Sequence, residues 1–240
     1  MMMCYISKTI YKPTAQIAML YRKMCTKISV GCHAEEILNQ ISESFQRANV
    51  SEPGVSAQIL VGEVLGTTNL DILPKVAKTS YLNTEQSESL AKMVQCRLAK
   101  MPIQYIIGYW EFRELKLTMK PPVFIPRAET EGLVDVILSH LKGLKNTEIN
   151  ILEIGCGSGA ISLSLMKEYK SQFNNIKILA VDQSASACRL TLENAANLQL
   201  LNTSNSDANL LPGNFTVKKV ITSISYRIKM EMIYDILHRC

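Results

Sequence analysis

The chain has 240 residues, of which 47% are hydrophobic and 20% charged, so it has the length for one large or two small domains and the apolar residues for a core. No apolar run approaches the roughly 20 residues of a membrane-spanning helix. The net charge of +5 is carried by residues 1–34, and the remainder is close to neutral. We therefore expect neither a membrane nor a nucleic acid as a direct partner.

The first segment, residues 1–33, is a basic leader. The segment contains no Asp or Glu, and its basic residues are Lys8, Lys12, Arg22, Lys23 and Lys27. A basic, acid-free N-terminus that contains hydroxyl residues is typical of a mitochondrial transit segment, and a disordered basic start is the alternative. The leader favours a mitochondrial localisation.

The seven cysteines are scattered along the chain. They form no Cys-x-x-Cys pair and no Cys/His cluster with the spacing of a zinc site. This pattern predicts a reducing compartment and no metal site.

Residues 34–101 have the pattern of a small helical domain. Three segments place apolar residues at helical spacing, and each predicts an amphipathic helix: residues 34–48, a segment around 57–65 that ends near Gly66, and residues 85–100, capped by Asn83 or Thr84.

Residues 102–125 change to alternating polar and apolar residues. The segments 106–112 and 115–119, joined by Arg113-Glu114, predict a β-hairpin. Pro121-Pro122 ends it, because proline cannot donate to a strand ladder. We interpret this segment as a linker.

Residues 126–200 alternate helices and strands. The pattern predicts a helix from Pro126 to Leu141 with Leu133, Val134, Ile137 and Leu138 buried, and then a strand at 149–154, a helix at 160–169, a strand at 176–181 and a helix at 185–198. Such alternation is typical of a parallel sheet. In the divergent tail, residues 201–240, either 216–223 or 226–236 is a candidate third strand, so the sheet has at most three parallel strands.

The turn after the first parallel strand has the composition of a cofactor pocket. It contains Glu153, Gly155, Cys156, Gly157, Ser158 and Gly159, and Asp182 ends the next strand. Glycines let the backbone approach a ligand closely, amides at a helix start bind anionic groups, and an acid on the neighbouring strand can accept both hydroxyls of a ribose. The small size of Cys156 suits such a turn.

Two cofactors fit this turn. Gly155, Gly157 and Ala160 satisfy the G-x-G-x-x-A form of a dinucleotide site, which keeps an NAD-dependent dehydrogenase as an alternative. Glu153 favours S-adenosylmethionine, because a carboxylate at that position suits a cationic amino-acid group better than a pyrophosphate. A turn without any ligand is the structural alternative.

Several motifs together resemble one known family. They are Ile103-Gln104-Tyr105-Ile106-Ile107-Gly108, Glu111-Phe112, Val123-Phe124-Ile125-Pro126-Arg127-Ala128-Glu129-Thr130-Glu131 and the glycine turn. In this order they are similar to the HemK-type methyltransferases, which modify a glutamine of peptide chain release factors. The resemblance covers about residues 56–200, and Ala128 replaces the family's usual proline.

The resemblance implies a fold and a set of roles. The fold is α/β: an N-terminal helical domain of five helices that docks the release factor, a hairpin linker, and a Rossmann-like methyltransferase domain, here partial, in a monomer. Glu153, Gly155, Cys156, Gly157, Ser158 and Gly159 would hold the methionine part of S-adenosylmethionine, and Asp182 the ribose. Phe124, Pro126 and Arg127 would line the cofactor side of the pocket.

One family motif is absent from this sequence. The family holds the target amide with an Asn-Pro-Pro-Tyr tetrapeptide after its fourth strand, and this chain contains no Asn-Pro. We therefore expect a shortened member of the family, with no catalytic residue of that motif and low activity. Two alternatives remain: a non-catalytic module that binds release factors, and a nucleic-acid methyltransferase, which the neutral body disfavours.

Overall fold

The computed structural model of the chain describes residues 28, 31–141, 149–170, 176–200 and 215–219. The chain forms two compact units, residues 1–107 and 108–240. Most of the predicted basic leader, the polar loop that follows Leu200 and the candidate strand at 226–236 lie outside the described residues.

The first unit is helical. Its described residues form α1 (Ala34–Arg47), α2 (Pro53–Leu65), α3 (Leu73–Thr79), α4 (Thr84–Leu98) and α5 (Ile103–Ile107). The three predicted helices are confirmed, and Asn83 caps α4 by accepting a hydrogen bond from the Gln86 amide at 2.9 Å. The Gln86 side chain in turn accepts the Asn83 amide at 3.0 Å and so completes a capping box.

Two parts of the first unit differ from the prediction. Helix α3 was not predicted, since its seven residues show only the pair Leu73 and Ala77 on a buried face. Ile106 and Ile107 were predicted to start the hairpin, but they lie in α5, where the carbonyl of Pro102 accepts the Ile106 amide at 3.3 Å. The buried isoleucines of α5 are spaced three and four apart, which is helical spacing that a short apolar run conceals.

The second unit is an α/β structure. In order, it contains β1 (Tyr109–Phe112), β2 (Leu115–Thr118), α6 (Glu129–Leu141), β3 (Ile149–Ile154), α7 (Ala160–Lys170), β4 (Ile176–Asp182), α8 (Ala185–Asn197) and β5 (Phe215–Lys219). Strands β1 and β2 form the predicted antiparallel hairpin, and β3, β4 and β5 form a separate parallel sheet with β4 in the centre. The predicted α/β class with a parallel sheet is confirmed, and β5 falls on the first of the two candidate strands.

The hairpin is fastened to the helices of the second unit. At its turn, Arg113 forms ion pairs with Asp135 of α6 at 2.6 Å and Glu168 of α7 at 3.3 Å. At its other end, Lys120 lies 2.6 Å from Glu193 of α8. The hairpin within the predicted linker segment is therefore part of this unit, whereas α5 at the start of that segment lies in the first unit.

Helix α6 differs from its prediction in two respects. It begins at Glu129 rather than at Pro126, after a turn in which Arg127 and Ala128 carbonyls accept the Thr130 and Glu131 amides. Leu133 was predicted to be buried but is 48% exposed, whereas Val134 is fully buried. Ile137 and Leu138, also predicted to be buried, are half-buried, so α6 buries a narrower face than the predicted stripe.

Among the described helices, none combines the length and apolar character needed to cross a bilayer. The described residues also contain no cluster of three or more His, Cys, Asp or Glu side chains that could hold a metal ion.

Candidate functional site

The glycine turn joins the end of β3 to the start of α7. The amides of Gly155 and Cys156 both donate to the Val181 carbonyl of β4, at 2.7 and 3.1 Å. Gly155, Gly157 and Gly159 have φ values of +85°, +57° and +82°, which glycine adopts without strain. The turn is therefore fastened to the neighbouring strand and follows a backbone path that requires these glycines.

One side of this turn is open. A Cβ atom added at Gly155 or Gly157 would meet no heavy atom of the described residues within 4 Å. At Gly159 the added Cβ would lie 2.8 Å from Thr191 Cγ2 and 3.0 Å from Leu163 Cδ1. The first two glycines thus face space that a ligand can fill, whereas the third allows α7 and α8 to pack closely.

Asp182 lies at the turn, on the end of the adjacent strand. Its Oδ2 accepts the Gly157 amide at 3.0 Å, and its Oδ1 accepts the Ser184 amide at 2.8 Å. Ser184 also caps α8. Each carboxylate oxygen has a further lone pair, so Asp182 can accept hydroxyl hydrogens of a ligand while it holds the turn.

Glu153 is partly buried on β3 and contacts the start of α7. Its Oε2 accepts hydrogen bonds from the Ser162 amide at 3.2 Å and from the Ser162 hydroxyl. Burial raises the pKa of Glu153 from its usual 4.5 to about 7, against the opposing effect of the Ser162 hydrogen bonds and with a smaller contribution from the charge of Asp182. Among the described residues, none donates to Oε1, which leaves this oxygen for a cationic ligand group.

Cys156 is buried inside the turn. Burial raises the pKa of its thiol to about 12, so the thiol stays neutral at physiological pH. The Thr191 hydroxyl lies 3.4 Å from its sulfur. These features match a small packing residue rather than a redox centre.

The segment with Phe124, Pro126 and Arg127 follows Val123, which contacts α8. Val123 packs against Ala187 and Leu190 in a buried cluster. Phe124 is 89% exposed, Pro126 is partly buried and Arg127 is exposed. Their role in lining a cofactor pocket stays a prediction.

Three residues of this site were not predicted from the sequence: Ser162, Thr191 and Asn194. Ser162 gave no signal, because a serine near a helix start is common. Thr191 and Asn194 are polar residues three apart on the buried face of α8, where the exposed fractions are 0% and 1%. A polar pair inside an apolar stripe was the available signal, since buried polar groups need partners.

The arrangement fits a nucleoside cofactor with a cationic amino-acid group. It offers an open glycine turn, an aspartate within reach of hydroxyls, and a glutamate with an oxygen that accepts no hydrogen bond within the described residues. A carboxylate at the end of β3 suits a cationic group better than the anionic pyrophosphate of a dinucleotide.

Comparisons with known proteins match both units. Residues 36–108 match the PrmC N-terminal domain, and residues 114–223 match the methyltransferase small domain. With the parallel sheet and its glycine turn, the second match defines the class: the second unit is a methyltransferase domain.

Curated relatives carry a more specific name. The human MTRF1L release factor glutamine methyltransferase is 40% identical over 173 residues, which cover 70% of this chain and 50% of the relative. The release factor glutamine methyltransferase of Fusobacterium nucleatum is 30% identical over 200 residues, covering 82% of this chain and 54% of the relative. That of Coxiella burnetii is 35% identical over 162 residues, covering 66% and 55%.

The chain thus combines a match to the PrmC N-terminal domain with a methyltransferase small domain, and its curated relatives are release factor glutamine methyltransferases. It spans about half the length of the curated relatives it matches.

The two outer glycines of the turn provide a matched test of its packing. Gly155 and Gly159 have nearly equal φ values of +85° and +82°, so alanine is similarly strained at both. Only the Cβ at position 159 would collide with Thr191 and Leu163. We expect Gly159→Ala to lower the free energy of unfolding by about 1–2 kcal/mol more than Gly155→Ala, measured by urea unfolding. Equal losses would contradict the close packing at Gly159.

The raised pKa of Glu153 predicts a pH-dependent stability. The folded state binds this proton more tightly than the unfolded chain, so the associated stability is present below about pH 4.5 and is lost as the pH rises to about 7. Glu153→Gln should remove this loss, which is at most about 3 kcal/mol.

The measurement is the urea-unfolding free energy of the parent and the variant at pH 5 and pH 8. Glu111→Gln, at an exposed carboxylate of β1, is the control and should leave the pH dependence of the parent unchanged. A Glu153→Gln variant with the parent's pH dependence would refute the raised pKa.

Proposed function

We propose that this chain binds S-adenosylmethionine at the glycine turn and is part of a protein-glutamine methyltransferase that acts on peptide chain release factors. The observation that carries the cofactor proposal is the Asp182 carboxylate, which accepts the Gly157 amide at 3.0 Å beside a turn with open space at Gly155 and Gly157. The names of the relatives support the substrate.

Each residue of the turn has a separate task in this proposal. Asp182 accepts the ribose hydroxyls, and the open surface of the turn at Gly155 and Gly157 receives the methionine part. Glu153 interacts with the α-ammonium group through Oε1, which accepts no hydrogen bond from the described residues. When bound, S-adenosylmethionine supplies an electrophilic methyl group on a positively charged sulfur. The ionised form of Glu153 favours that cation, so binding is expected to strengthen as the pH rises through about 7.

The helical unit is the proposed docking site for the release factor. Residues 36–108 match the PrmC N-terminal domain. The domain boundaries proposed from the sequence are a helical docking domain at 34–101, a linker at 102–125 and a partial methyltransferase domain at 126–200. We propose a monomer without nucleic-acid or membrane partners.

The target of methylation is a poor nucleophile. An amide nitrogen shares its lone pair with the carbonyl, so the enzyme must hold the amide and aim that lone pair at the methyl group. In the family this is the task of Asn-Pro-Pro-Tyr, and the 240 residues of this chain contain no Asn-Pro. This observation favours a second candidate function, in which the 240-residue chain binds the release factor without methylating it.

The first test is the role of Asp182 in cofactor binding. Asp182→Ala removes the acceptor of the ribose hydroxyls and should weaken S-adenosylmethionine binding by about 1.5–3 kcal/mol, measured by calorimetry. Asp135→Ala, at an exposed aspartate of the same unit, should leave the affinity unchanged. Equal affinity of the parent and Asp182→Ala would refute the pocket.

The second test is methyl transfer. Because the amide-holding tetrapeptide is absent, the purified 240-residue chain should transfer no label above background from S-adenosylmethionine to a release factor with a Gly-Gly-Gln loop. The full-length human relative is the positive control. Co-purification of the release factor without labelling supports the binding module, whereas labelling at the rate of the control would show that other residues hold the amide.

The third test concerns localisation, which we propose to be mitochondrial on the basis of the five basic and no acidic residues in 1–34. A fluorescent reporter fused to residues 1–34 should enter mitochondria. Exchange of the five basic residues for glutamine should abolish import. A diffuse signal from the unaltered fusion would contradict the proposal.

A further inference from the structure

Helix α8 presents two buried polar side chains to the glycine turn. Thr191 and Asn194 lie one helical turn apart and are 0% and 1% exposed. The Thr191 hydroxyl donates to the Gly157 carbonyl at 3.1 Å, and Asn194 Nδ2 donates to the Ser158 carbonyl at 2.9 Å. Two consecutive carbonyls of the turn are thus held by one helix.

Fixing these carbonyls fixes the direction of the amides. In a trans peptide the N–H points opposite to the C=O of the same unit. The bond to the Gly157 carbonyl therefore directs the Ser158 amide away from α8, and the Gly159 amide is held by the Cys156 carbonyl at 2.7 Å. The turn is preorganised before any ligand arrives, which reduces the cost of binding.

Asn194 makes a second set of contacts with the hairpin. Its Oδ1 accepts the Thr118 amide at 2.7 Å, and Nδ2 donates to the Thr118 carbonyl at 3.2 Å. With the bond to Ser158, both Nδ2 hydrogens and one oxygen lone pair are used. An aspartate could not replace this residue, because a carboxylate donates no hydrogen bond.

We propose that Asn194 is a positioning residue that couples the glycine turn to the end of the hairpin, with Thr191 holding the adjacent carbonyl. This inference rests on the proposed cofactor site and adds to it a physical link to Thr118. The chain continues from Thr118 through Lys120 to the segment of Phe124, Pro126 and Arg127. Cofactor binding at the turn is therefore felt at the backbone of Thr118 through the Asn194 side chain.

Helix α8 supplies a matched control in Asn197. It is an exposed asparagine on the same helix, and its Nδ2 donates to the Thr118 hydroxyl at 3.1 Å. It thus contacts the same hairpin residue as Asn194 through the same kind of amide. Its substitution removes a hairpin contact and leaves the hydrogen bond of Asn194 to Ser158 in place.

The experiment compares the parent chain, Asn194→Ala and Asn197→Ala in the 240-residue protein. Calorimetry gives the S-adenosylmethionine affinity, and amide hydrogen exchange by NMR reports on Thr118 and Gly159 with and without the cofactor. In the parent and in Asn197→Ala, the cofactor should slow exchange at both amides. In Asn194→Ala the affinity should fall about tenfold or more, and the cofactor should no longer slow exchange at Thr118. An unchanged affinity, or a Thr118 response like that of the parent, would overturn the proposal.

A second variant keeps the proposal testable if Asn194→Ala does not fold. Thr191→Val preserves shape and removes only the hydroxyl. It should weaken cofactor binding severalfold, while the Thr118 amide still responds to the cofactor because Asn194 is intact. Unchanged affinity, or a lost response at Thr118, would contradict the assigned roles.

Failure of the proposed cofactor site can be distinguished from failure of the proposed link through Asn194. If the parent chain does not bind S-adenosylmethionine, the cofactor site is refuted. Amide hydrogen exchange without ligand then tests whether Asn194 links the turn to the hairpin. Faster exchange at both Thr118 and Gly159 in Asn194→Ala than in Asn197→Ala supports this link, and equal exchange in the two variants overturns it.

Discussion

The parallel pairing of β3 with β4 is the constraint on which the site depends. Ile154 lies opposite Val181, so the glycine turn and Asp182 leave the sheet at the same edge. Two turn amides then donate to the Val181 carbonyl, and the Gly157 amide donates to Asp182. A shift of this register by one residue would reverse the faces of the side chains and separate the aspartate from the turn.

Long elements with a clear period could be predicted from the sequence. Strand β3 was predicted with its observed bounds, and α7 and α8 were predicted to within one residue at each end. Their apolar spacing and the glycines and acids between them indicate the same boundaries. Short elements could not be predicted in this way. Helices α3 and α5 have seven and five residues, too few to show a period, and the buried face of α6 depends on neighbours that a single helix does not reveal.

The candidate site divides similarly between predictable and unpredictable residues. The glycines could be predicted from the sequence because the backbone conformation of the turn restricts the residue type. Asp182 could be predicted because it is an acid at the end of an apolar strand. To predict the contact of Glu153 with Ser162, one must know the angle at which α7 leaves the turn. To predict the contacts of Asn194, one must know the position of a strand residue that lies 76 residues away in the chain. Such contacts depend on tertiary packing rather than on any local pattern.

That separation of 76 residues has a consequence for the order of folding. The hydrogen bonds between Thr118 and Asn194 close a long loop, whereas the pairing of β3 with β4 and the packing of α7 join segments much closer in the chain. Loop-closure entropy makes distant contacts form late. We therefore expect the sheet and its turn to assemble first and the hairpin to dock last. By the same reasoning, the contact between the end of the hairpin and α8 should be the first part of this unit to open in local unfolding.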